Sequence, residues 1–128
     1  MRGEEFERLV AEALEELPEE FQKRLDNVDV VVAAEPTRDQ RERAGIGSHQ
    51  TLFGLYEGVP LTKRDRGYHL VLPDKITIFQ RPMEAVCRTD EEIRNLVRKT
   101  VIHEIAHHFG ISDKRLRDLE GGTGAKDD

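Results

Sequence analysis

The run that most constrains this chain is "TDEEIRNLVRKTVIHEIAHHFG", Thr89 to Gly110. Its length and periodicity predict one long helix. Thr89 and Glu92 have the spacing of a capping box, and Gly110 stands where a left-handed stop belongs. Ile93, Val97 and Val101 form one apolar stripe. From Val101 to Phe109 apolar residues spread nearly round the axis, broken only by three histidines and Glu104, which predicts a buried central helix. A chain of 128 residues organised around such a helix has room for one domain whose core needs no crosslinks.

The remaining elements follow from pattern. Phe6, Leu9, Val10, Ala13, Leu14 and Leu17 recur at helical spacing, with Glu4 and Glu5 in the first turn where the helix dipole favours them. Pro18 ends that helix and can open a second through Phe21 and Leu25. "VDVVVAA", Val28 to Ala34, is β-branched and short, and predicts a buried strand. Glu35 to Gln50 is polar and reads as an irregular loop, long enough to act as a lid. "TLFGLYEG" predicts a second strand and "KITIFQ" a third, with the turn-rich, basic "VPLTKRDRGYHLVLP" between them. A short helix around Met83 to Val86 precedes the long one, and "DKRLRDLE" can form one more. The expectation is a single α+β domain over residues 1–120, a small mixed sheet packed on helices, followed by a disordered tail at 121–128.

Charge and cysteine content narrow the function classes. The balance is 20 basic against 26 acidic residues, net −6, which argues against nucleic acid as the main partner because phosphate binding wants a basic field. No apolar run approaches the roughly 20 residues that span a bilayer. The first residues, "MRGEEFERLV", are acidic where a signal peptide would be apolar, so a cytoplasmic protein without membrane partners is expected. The single cysteine, Cys87, fits a reducing compartment and reads as a small buried residue rather than a nucleophile.

The chemistry is concentrated at the end of the long helix. His103 and His107 are four apart, about 40° round the axis and roughly 6 Å along it, so two imidazoles can meet one metal ion from a single face. Glu104 sits beside that face, able to act on a metal-activated water without occupying a coordination position. A catalytic zinc takes three protein ligands and keeps one position open. Gly110 allows the chain to turn back, and Asp113 can then present a carboxylate oxygen to the same ion. His108 points about 100° away from His107 and reads as a supporting or capping residue rather than a ligand. Tyr56 and His69 are candidate electrophilic donors, each more often a structural residue, while His49 in the polar loop is expected to be solvated.

"HEIAHHFGISD" resembles the extended zincin pattern H-E-x-x-H-x-x-G-x-x-[HD], with aspartate at the last position. Together with "FGLYEGVPLT", "PDKITIFQRP" and the capped helix between them, Leu52 to Leu116 resembles the minimal zincin family of small bacterial zinc metallopeptidases. The resemblance implies a small mixed sheet backed by a helix, with the metal-binding helix crossing beneath. It implies Zn²⁺ held by His103, His107 and Asp113, with Glu104 as general base. Met1 and Met83 both precede the motif, so the methionine-containing turn that follows it in metzincins has no counterpart.

The expected function is a zinc-dependent metallopeptidase acting on a peptide or protein substrate. An edge strand, with "KITIFQ" the first candidate, would pair with an extended substrate. The alternative is a non-catalytic, zinc-stabilised binding or regulatory module, which has no need of a base at Glu104.

Overall fold

The computed structural model describes residues 1–47, 50–58, 73–112 and 114–118. Among the described residues, five helices and three strands follow one another in the order α1 (Gly3–Glu15), α2 (Glu19–Arg24), β1 (Val28–Ala33), α3 (Arg38–Arg43), β2 (Gly54–Glu57), β3 (Asp74–Phe79), α4 (Gln80–Val86) and α5 (Asp90–Phe109). A further helical turn covers residues 114–118, where the Ser112 hydroxyl accepts from the Arg115 amide at 3.1 Å. The result is a single-domain α+β fold, as the sequence pattern predicts.

The sheet has the order β1-β3-β2, with β1 parallel and β2 antiparallel to β3. "KITIFQ" is therefore the central strand, not an edge. It holds that place because Ile76, Ile78 and Phe79 are fully buried, which needs neighbours on both sides. β2 is the edge beside α5. β1 is an edge too, and its burial alternates instead of being complete, with Val31 exposed on the far face. Register explains which residues reach the core. Val30, Ile76 and Tyr56 form one row across the sheet, and Val32, Ile78 and Gly54 the next, all on one face. That face packs against α1 and α5 through Phe6, Leu9, Val97, Val101 and Ile105.

Local chemistry accounts for the element ends. Pro18 caps α2, and the Gln22 side-chain amide donates to the carbonyls of Glu15 and Leu17 at 2.9 and 2.8 Å, satisfying groups that the end of α1 leaves open. Thr89 caps α5 by accepting from the Glu92 amide at 3.1 Å, while the Glu92 carboxylate accepts from Arg88 N–H rather than from the cap residue itself. Gly110 closes α5 at φ +70, left-handed as expected. α5 lies on α1 with Arg94 paired to Glu12 at 3.2 Å and Arg98 to Glu16.

Three expectations need correction. The segment from Glu35 to Gln50 is not wholly irregular. Thr37 and Gln40 make a reciprocal capping box that starts α3. Arg43 of that helix meets Glu57 at 2.6 Å, and Glu57 points to the sheet face opposite Tyr56, so α3 is tied away from α5 rather than over it. Finally, α5 is buried on one side only in its last turns. Val101, Ile102, Ile105 and Ala106 are covered, whereas His103, His107, His108 and Phe109 are exposed. No helix among the described residues is long and apolar enough to cross a membrane.

Candidate active site

α5 carries the site because its buried residues fix which way the rest must face. Ile102, Ile105 and Ala106 anchor the helix in the core, which turns His103 and His107 outward on successive turns of one uninterrupted helix. Both imidazoles are open to solvent. Glu104, next in sequence to His103, is half-buried between the helix and the β2 edge.

Its carboxylate accepts a hydrogen bond from the backbone N–H of Tyr56 at 2.9 Å. Burial pushes the Glu104 carboxyl above the usual carboxylate range. The Tyr56 N–H, His107 and His103 pull it back in that order. Among the described residues no lysine or arginine pairs with it. A half-buried carboxyl beside two open imidazoles, held by an amide and not by a cation, is poised to exchange a proton rather than to close a salt bridge.

Tyr56 is a packed residue, and its ring stacks on His108 with centroids 3.9 Å apart and planes 16° apart. Its hydroxyl donates to Asp74 at 2.7 Å, and His108 Nε2 lies 3.9 Å from the same carboxylate oxygen. His108 thus packs on Tyr56 and faces Asp74. Phe109, edge-on to both rings at 6.3 Å from Tyr56 and 4.9 Å from His108, stays 45% exposed, with the Arg24 guanidinium 4.9 Å above it. Cys87 is half-buried, less deep than expected, and burial followed by the charge of Glu92 raises its thiol pKa, the opposite of an activated nucleophile.

The donors present suit zinc. Two imidazoles four residues apart on one helix and open to solvent could supply two of the three expected ligands. The third, Asp113, lies outside the described residues, as do His49, His69, the "TKRDRGY" run and the tail at 121–128. Among the described residues alone no group of three His, Cys, Asp or Glu is gathered to hold a metal. Sequence reasoning did not find Asp74, which meets Tyr56 and His108 only through the fold, nor the role of the Tyr56 amide. A hint was present in "GLYEG", where glycines stand on either side of Tyr56 at strand spacing.

The model of the zincin-like metallopeptidase family matches residues 25–123. The chain belongs to that family. The match begins just before β1 and runs past the motif, so it covers the whole sheet and α5. The chemistry that the family name carries, at this coarse level, is that of a zinc-dependent peptidase. Among solved structures, a conserved hypothetical protein from Thermus thermophilus is similar, with a TM-score of 0.54 and 22% identity over 89% of this chain and 99% of that one. At that identity the likeness concerns the fold. No curated protein matches the chain.

Proposed function

We propose that this zincin-like chain is a zinc-dependent peptidase in which Glu104 is the general base and His103, His107 and Asp113 hold the metal. The observation that carries this reading is the setting of Glu104. Its carboxyl is raised by burial, flanked by two open imidazoles and anchored by a backbone N–H. Zinc, when bound, supplies the Lewis acidity that activates water and polarises a peptide carbonyl. Glu104 takes the proton of the attacking water and returns it to the leaving amine. The Tyr56 N–H keeps the carboxylate from swinging into solvent.

The test is hydrolysis of a peptide library by zinc-loaded wild type and Glu104→Gln, with zinc content measured in the same samples. The substitution should leave zinc bound and lower turnover by about 10²- to 10⁴-fold, the usual contribution of a general base. Equal rates would remove Glu104 from the mechanism. Zinc binding with no cleavage by either protein would favour the non-catalytic module.

A further inference from the structure

The contact between Glu104 and Tyr56 is one of three evenly spaced meetings of α5 with β2 and the residue just after it. A methyl group built on Gly54 would lie 2.6 Å from Thr100 Cγ2 and 3.1 Å from the Thr77 carbonyl oxygen, too close to be accommodated without a shift. Four residues further along α5, Glu104 accepts from the Tyr56 amide, two residues further along β2. Four and two residues further again, a methyl group on Gly58 would touch His108 Cε1 at 3.4 Å, an ordinary contact. Four helical residues rise about 6 Å and two strand residues about 6.7 Å, so the two elements keep step over this stretch. Glycine at 54 lets helix and strand approach at the first rung. Tyr56 then comes within reach of a short carboxylate side chain at the second.

We propose that Gly54 is a positioning residue for the general base: by admitting Thr100 against the bare strand, it sets the gap across which the Tyr56 N–H holds Glu104. The role rests on the peptidase reading only for its effect on rate. Gly54 is buried and its φ is not in the left-handed region, so what the position demands is space, not a glycine backbone. The Tyr56 amide points out of the sheet edge, and Glu104 is what covers it. That amide therefore reports the gap directly, with or without metal and with or without turnover.

Amide hydrogen exchange read by NMR gives the first arm. The Tyr56 amide should be protected in wild type and in Glu104→Gln, which keeps an acceptor, and unprotected in Glu104→Ala. Gly54→Ala should expose it while core amides such as Ile78 stay protected, and Gly54→Ala/Thr100→Ala, which removes the closest contact but leaves the Thr77 carbonyl oxygen at 3.1 Å, should recover part of the protection. Thr100→Ile crowds the same gap from the helix side and should also expose the amide, so the result does not depend on one variant folding. Gly58→Ala should behave as wild type. In the second arm, Gly54→Ala should lower kcat about ten- to a hundredfold, the scale of a 1 Å misplacement, with KM and zinc affinity little changed. Persistent Tyr56 protection in Gly54→Ala and Thr100→Ile, or a fall in kcat accompanied by a raised KM and weakened zinc affinity, would overturn the proposal. If wild type cleaves no peptide, the peptidase reading fails while the exchange arm still decides whether Gly54 holds Glu104.

Discussion

At the scale of single residues, Glu104 is held in a position that serves chemistry better than stability. Its pKa is raised in the fold, so its contribution to stability is whole below the unfolded carboxylate value of about 4.3 and is lost as pH rises through the folded value. Near neutral pH the metal-free protein carries that cost, and Glu104→Gln removes it while keeping an acceptor for Tyr56. Metal-free Glu104→Gln should accordingly melt above metal-free wild type at pH 7, with the gap closing toward pH 4 in a calorimetric series. A substitution that stabilises the fold while abolishing turnover is the pattern of a functional residue. Glu104 could be singled out from the sequence because the helix period puts His103 and His107 on one face and Glu104 beside it. Its anchor was not legible: Tyr56 lies 48 positions away, and a backbone donor leaves no mark in a side-chain pattern.

At the scale of elements, the two ends of α5 do different work. Thr89 and Gly110 are equivalent as punctuation, one cap and one stop. Thr89→Ala should cost about 1 kcal/mol, the usual loss for an N-cap. Gly110→Ala forces an L-residue to φ +70 and should cost about 1–2 kcal/mol. The two should part in zinc titrations. Affinity should be unchanged in Thr89→Ala and weakened in Gly110→Ala, because only the second disturbs the turn that leads to Asp113. Helices and strands were readable wherever a period ran long enough, as in α1 and α5. Strand order was not, since "KITIFQ" and "GLYE" carry similar residues and only the tertiary partners make one central and the other an edge. α3 was missed although Thr37 and Gln40 spell its cap, because its six residues bury nothing and leave no hydrophobic period.

At the scale of the whole molecule, metal and fold should be thermodynamically linked. Zinc in excess of its dissociation constant by a hundredfold should add about 2.7 kcal/mol. A chelator should lower the melting temperature by several degrees, and acid should release the ion as the ligand imidazoles take up protons. A melting curve indifferent to chelator would mean that the metal is not bound in the folded state. The linkage is expected because the histidines stand on the one helix that α1, the sheet and α2 all pack against.

The ion pairs that join Glu12 to Arg94 and Glu16 to Arg98 each bridge 82 positions of the chain. The amide that restrains Glu104 comes from a strand 48 positions upstream. The α5 segment by itself therefore has the histidines but not the amide that restrains Glu104. The restraint on Glu104 exists only where β2 and α5 are both in place and packed together.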